Sequence, residues 1–227
     1  MSPDAIIPGL APLWLSLQLA AVTVICLLLL ATPLAWWLAH SRTRFKTVIE
    51  SVVALPLVLP PTVVGFYFLL LLGPKGLVGA PWVALTGEAL TFSFAGLVIA
   101  SMAYSLPFVV QPIQNAFAAI GRAPVETARS LGAGPLDAFF TVAVPLSARG
   151  FLSAIVLGFA HTLGEFGVVL MVGGSIPGKT RVISIAIYDH VETFDYAFAH
   201  ALSAVLLISA FFLLLLIYTV NRRWLTW

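Results

Sequence analysis

Charge is what this chain of 227 residues has least of. Lys, Arg, Asp and Glu make up 9% of it, against about 25% in a soluble domain. With 61% of the residues hydrophobic, a water-soluble fold is excluded, and residues 1–227 read as a single transmembrane domain. The basic residues form no run and the net charge is only +2, so nothing points to nucleic acid. Cysteine is almost absent. Cys26 stands alone in an apolar stretch, which excludes a disulfide framework and a Cys-based metal site; it reads as a small core hydrophobe. No Ser–His–acid set and no metal-ligand cluster stands out, so no catalytic residue, metal or bound cofactor is expected of this chain. There is no internal repeat and no low-complexity segment.

What the chain does have is long apolar runs. A span needs roughly 20 predominantly apolar residues, and five candidates lie at about 13–39, 48–72, 92–118, 150–172 and 198–220. The fold class is therefore all-α and polytopic. The first run lacks a basic leader and is long for a signal core, so it reads as a retained helix. Eight of the eleven basic residues fall on one side: Arg42, Arg44 and Lys46, then Arg122, Arg129 and Arg149, then Arg222 and Arg223. Lys75, Lys179 and Arg181 fall on the other. Positive-inside counting then puts the N-terminus outside and the C-terminus in the cytoplasm. Trp14, Trp36, Trp37, Trp82, Trp224 and Trp227 flank spans as interfacial anchors do.

Several spans are interrupted. Pro56, Pro60 and Pro61 remove backbone donors from span two and should kink it, with Thr62 and Gly65 beside a water-filled path or in a purely structural bend. Gln111, Gln114 and Asn115 in span three either bond to neighbouring helices or line an inner vestibule. Span four carries His161, Gly164, Glu165 and Gly167. A carboxylate inside a span is a functional candidate by default; a paired Glu that fixes packing is the alternative. His161 and Glu165, four apart, would share a helix face and could bond directly. Residues 73–91 read as an outer connection with a short surface helix, and 182–195 as another short outer helix. Gly173 to Thr180 matches the phosphate-binding pattern G-x-x-x-x-G-K-[ST] letter for letter. That pattern needs a preceding strand and a following cytosolic helix; here it follows a membrane span, and a Gly/Pro turn is the better reading. Lys179 and Arg181 would attract an incoming anion or simply solubilise the loop.

The stretch from Arg122 to Pro145 cannot lie in hydrocarbon, because it carries Arg122, Glu126, Arg129 and Asp137. Pro124 suits a helix start, Gly132-Ala133-Gly134 a break, and Pro135 a second start. Leu136, Phe139, Phe140 and Ala143 recur at helical spacing, and Pro145 should end that helix. The residues alone fit an interfacial helix as well as a docking knob at the membrane surface.

The spacing in this stretch adds a resemblance. Glu126-Thr127-Ala128, then Gly132, then Val142-Ala143-Val144-Pro145 resembles the loop E-A-A, three residues, G, nine residues, I-x-L-P of ABC importer permeases, with Thr127, Val142 and Val144 as departures. Together with Leu55 to Gly65, Ala128 to Gly134, Gly164 to Gly167 and Ile176 to Arg181, nearly the whole chain is similar to the permease subunits of molybdate importers; sulfate permeases share parts of the pattern. The resemblance implies the type I ABC importer permease fold in the bacterial inner (cytoplasmic) membrane, with a coupling loop at about 119–149. It implies Glu126, Thr127, Ala128, Arg129, Gly132, Ala133, Gly134 and Pro145 as the residues that meet an ATPase. It makes Pro60, Pro61, Thr62, Gly65, His161, Gly164, Glu165 and Gly167 candidates for the pathway or gate. It further implies a homodimer, a pair of cytoplasmic ATPase subunits that bind the ATP and Mg, and an outer binding protein that delivers molybdate, tungstate or sulfate. Some members of the group have an additional N-terminal helix, for which the roughly twelve residues before span one leave no room. Against this stand an ion-coupled secondary transporter, for which a repeat is missing, a haem protein using His161 and His200, and an intramembrane hydrolase, for which no nucleophile–base pair is evident.

Overall fold

The computed structural model describes residues 10–224. In chain order the helices are α1 (Leu10–His40), α2 (Phe45–Val58), α3 (Pro61–Leu72), α4 (Gly79–Thr86), α5 (Phe94–Ile120) and α6 (Ala123–Ser130). There follow α7 (Pro135–Ala138), a π-helical turn (Phe139–Ala143) and α8 (Val144–Leu146), then α9 (Ala148–Leu163), α10 (Gly167–Gly173), α11 (Ile183–Glu192) and α12 (Tyr196–Trp224). No strand occurs among the described residues.

Three helices, α1, α5 and α12, are long and apolar enough to cross a membrane alone. Two bent pairs raise the count to five: α2 with α3, turned by 114°, and the Pro135–Leu146 segment with α9, turned by 71°. By length and composition the described residues hold three to five candidate spans, and the second and fourth differ in form from the sequence reading. Span two is broken rather than kinked. Pro60 drives Leu59 out of the helical region, so Leu59 (ψ 137°) and Pro60 (ψ 138°) are both extended. Pro61 then opens α3, where its missing N–H costs nothing. Span four is not one helix over 150–172. It stops at Leu163, and α10 begins at Gly167.

α5 is the centre of the bundle and contributes to all three buried clusters. Val109, Val110, Ile113 and Phe117 pack with Leu27, Ala31, Ala35 and Leu38 of α1 and Ala154 of α9. Leu97 and Val98 meet Leu19, Val169 and Ile185. Ala100 meets Val64 and Leu72 of α3 and Val168 and Val172 of α10. Lipid is as apolar as these side chains, so close packing rather than water exclusion holds such helices together. Small residues at the contacts make this possible. A Cβ at Gly158 of α9 would fall 2.7 Å from the Val109 side chain. α12 is the opposite case: in its hydrophobic window only 11% of residues are buried, and Leu207, Ile208, Phe211 and Phe212 point outward. The short outer helix expected at 182–195 is α11, yet it is no surface appendage. Ile183, Ile185 and Ala186 are buried, and the Ile183 amide donates to Ser16 Oγ of α1 at 2.8 Å.

Candidate functional site

Local sequence builds the elbow between α5 and α9. Pro124 sits in the first turn of α6, Glu126 near its positive N-terminal end and Arg129 near its C-terminal end, where each charge favours the helix dipole. Thr127 and Ser130 return their hydroxyls to the carbonyls of Ala123 and Glu126. The helix ends where Gly132 takes φ +99°, a region open to glycine and costly for other residues. The Gly132 and Ala133 amides donate back to Arg129 and Ala128, and Pro135 starts α7. No residue of α6 is buried. Leu131 (86% exposed), Leu136 (74%) and Phe140 (64%) form an apolar tip on a charged arm.

The second half of the elbow departs from the expected stripe. Ala138 and Ala143 are buried while Leu136 and Phe140 are exposed. The π-helical turn at Phe139–Ala143 changes the residue phase, so the four predicted stripe residues do not share one face. Pro145 does not end this helix. It lies in the first turn of α8, where a proline is tolerated, and the chain bends only at Ser147. The elbow is tied down by aromatics. Trp36 of α1 meets Phe117 and Phe139 edge-on, at 4.9 and 5.2 Å between ring centroids, so it anchors the elbow rather than only marking an interface. Trp14, Trp37 and Trp82 are exposed, as anchors would be; the Trp224 and Trp227 side chains lie outside what the structure describes. Arg122 reaches back with Nη2 to the His40 carbonyl at 2.6 Å, capping the end of α1.

The membrane-depth candidates fall into two groups. Pro60, Pro61 and Thr62, at the α2–α3 break, are exposed. Gly65 and Gly167 are buried and serve the contact of α3 with α10. A Cβ on Gly65 would lie 2.8 Å from Met171 Cβ, and one on Gly167 would lie 2.9 Å from Pro61 Cβ. Gly164 is exposed in the break after α9, next to buried Glu165. His161 and Glu165 do not pair, because the helix that would align them has already ended. His161 Nδ1 instead lies 2.9 Å from Ser105 Oγ, with the ring stacked on Phe108 at 4.0 Å. Glu165 is 5% exposed, and neither of its carboxylate oxygens has a hydrogen-bond partner. It lies beside Ser101 and Tyr104 of α5, and its backbone carbonyl accepts from Ser184 Oγ at 2.6 Å.

Sequence reasoning passed over Ser105. It supplies the Ser–His contact that no spacing revealed, since 56 residues separate the two. Ser105 is fully buried and also bonds Thr162 Oγ1 at 2.9 Å, so no hydrolysis substrate reaches it. No group of three metal-ligating side chains occurs among the described residues. Of the three carboxamides, Gln114 bonds to a neighbouring helix, its Nε2 donating to Glu50 of α2 at 2.6 Å, and Gln111, Gln114 and Asn115 all line a recess between α2 and α5.

The Gly173–Thr180 loop is closed upon itself. Its three amides at Lys179, Thr180 and Arg181 all donate to the Ile176 carbonyl. The fully buried Thr180 hydroxyl donates to Gly173 O at 2.7 Å. In a phosphate loop these groups must be free for phosphate and metal. Arg181 is likewise occupied, with Nε 3.2 Å from Asp189 Oδ2 and 2.9 Å from Ser175 Oγ.

Broken spans, a central α5 and a surface elbow are the frame of a membrane-embedded transport component. The chain belongs to the family of binding-protein-dependent transport system inner membrane components, whose sequence profile matches residues 31–226. It is 56% identical over 213 residues to the molybdenum transport system permease protein ModB of Azotobacter vinelandii, covering 94% of each chain. It is 37% identical over 179 residues to that of Escherichia coli K12, covering 79% of this chain and 78% of the relative. A probable sulfate transport system permease protein of Zygnema circumcarinatum is 34% identical over 198 residues, with 87% and 68% covered. Among solved structures, a bacterial ABC transporter that imports alginate superposes with a TM-score of 0.77 at 17% identity, over 96% of this chain and 80% of that one. The inward-facing MetNI methionine ABC transporter gives 0.74 at 14% identity, over 98% and 99%. The fold is that of type I ABC importer permeases, and the protein is a multi-pass component of the inner membrane.

Proposed function

We propose that this protein is the permease subunit of an ATP-driven molybdate importer. The observation that carries the reading is 56% identity to a molybdenum permease over 94% of both chains. Sulfate and tungstate are weaker alternatives, since the sulfate relative is more distant. The chain works as a homodimer with its N-terminus outside. An external binding protein delivers the anion. The elbow lies in the cytoplasm and docks a separate ATPase dimer, which binds ATP and Mg and does the hydrolysis. The exposed, charged α6 and the apolar tip at Leu131, Leu136 and Phe140 support that docking role. So does the aromatic anchorage through Trp36, which passes force from the elbow to α1 and α5. ATP closure draws the two elbows together and opens the pathway outward; hydrolysis resets it. The pathway runs past the exposed α2–α3 break at Pro60, Pro61 and Thr62. Half-buried His161, through Ser105, and the Glu165 backbone carbonyl, through Ser184, hold the helices that border it; the buried Glu165 carboxylate stays off the path, since a bare carboxylate would repel an anion.

Glu126→Arg should abolish molybdate uptake in membrane vesicles and the co-purification of the ATPase, while leaving the amount of permease in the membrane unchanged. Full uptake with intact co-purification would overturn the elbow's role. A binding titration of the partner binding protein with molybdate, tungstate and sulfate ranks the cargo.

A further inference from the structure

We propose that the polar recess between α2 and α5 is a transit site for the oxyanion at the inner mouth of the pathway. Its hydrogen-bond donors are the carboxamides of Gln111, Gln114 and Asn115. This rests on the orientation and the oxyanion cargo proposed above.

The recess is a cavity of about 300 Å³ lined by Glu50, Val53 and Ala54 of α2 and by the three carboxamides of α5. That is roughly ten times the liquid volume of one water, so an anion fits with part of its hydration shell. Gln111, Gln114 and Asn115 follow the i, i+3, i+4 spacing that puts all three on one face of α5. Gln111 and Asn115 are exposed on that face. A spanning helix does not turn carboxamides to hydrocarbon, where unbonded polar groups are costly. This face therefore meets water, a ligand or the partner permease, and the thiol labelling below separates the last from the first two.

The charges of the recess are balanced in a way that suits a passing anion. Glu50 would repel it, but the same Oε1 accepts from Gln114 Nε2 at 2.6 Å and lies 3.8 Å from Lys46 Nζ. The carboxylate lines the recess, but its charge is compensated by a cation and one of its oxygens is engaged by a donor. Gln114 keeps a second amide hydrogen, and Gln111 and Asn115 bring two each. Neutral N–H donors can replace part of an oxyanion's hydration without holding it tightly. A free guanidinium would form charge-assisted bidentate bonds and retain it. Conduction needs binding favourable enough to enter and weak enough to leave. Carboxamides fit the second condition, and they set the site apart from a storage or sensing site.

The test uses the assembled complex with its ATPase and binding protein. Gln111→Leu with Asn115→Leu should lower molybdate uptake about tenfold, the worth of two lost neutral hydrogen bonds, through maximal rate rather than half-saturation. Gln111→Asn with Asn115→Gln, which keeps the donors, should stay within about threefold of the parent. In a Cys26→Ala background, Gln111→Cys and Asn115→Cys should react with an anionic membrane-impermeant thiol reagent in inside-out vesicles, and molybdate should slow that reaction. Parent-like uptake by the double leucine variant would overturn the transit site. Failure of both cysteines to label from either face would overturn the water-filled recess. Labelling only from the outer face would overturn the inner-mouth assignment, through the orientation on which it rests.

Discussion

The elbow and the α9–α10 break both interrupt helices, and they do so by opposite means. In the elbow, Pro124, Gly132 and Pro135 act where they stand. α6 buries nothing, and a Cβ at Gly132 would meet no atom within 4 Å. At the α9–α10 break almost everything is set by a neighbour. Gly167 is pressed on Pro61, the Glu165 carboxylate is buried beside Ser101 of α5, and Ser184 holds its carbonyl. An interruption in water is written in local backbone chemistry. One inside a bundle is written in contacts between segments far apart in sequence.

Changes on the two sides of this contrast should therefore behave differently. The largest effect is expected from Gly167→Leu, which forces a side chain into a contact already 2.9 Å from Pro61 Cβ. Overpacking of this kind costs about 1–3 kcal/mol. The thermal melting midpoint of the purified complex and the amount of permease in the membrane should both fall. A parent-like melt would show that α3 and α10 are not held by this contact. Gly132→Val comes next. It has space, but φ +99° costs a branched residue on the order of 1–2 kcal/mol. Membrane amounts should stay normal and melting should fall less than for Gly167→Leu while uptake is lost, because the strain lies in an exposed corner beside a helix that buries nothing and changes the aim of the elbow tip. A loss of global stability equal to that of Gly167→Leu would erase the distinction between the two regions. The smallest effect is expected from Glu165→Gln. It keeps shape and removes a charge that no short hydrogen bond supports, so stability should change by less than about 1 kcal/mol, read as a small shift of the melting midpoint. A large drop would mean that the carboxylate has a charged partner when the permease is assembled.

The same contrast explains what the sequence made legible. The all-α class and its three to five candidate spans followed from the length of the apolar runs, the elbow's first helix and its Gly corner from Pro124 and Gly132, and the dismissal of the Gly173–Thr180 pattern from its context. Four features were not legible. The π-helical turn at Phe139–Ala143 exposes Phe140 and keeps Phe139 against Trp36, and no residue pattern announces it. The break after Leu163 separates His161 from Glu165, and periodicity cannot see it because the apolar run continues on both sides. Ser105 became His161's partner only through the contact of α5 with α9. Trp36 looked like a membrane anchor because its partners, Phe117 and Phe139, lie about a hundred residues further along the chain.

By itself the sequence determined that this chain lives in a membrane, where its helices start in water, and which loop carries charge. Those are matters of solvation and local dihedral preference, and each residue states its own. The tertiary structure decided which polar groups inside the membrane are paired, which glycines are contacts rather than hinges, and which carboxamides face a recess. Those outcomes depend on what a second helix brings within a few ångströms, and apolar helices carry no periodic signal of their partner in a solvent as apolar as themselves.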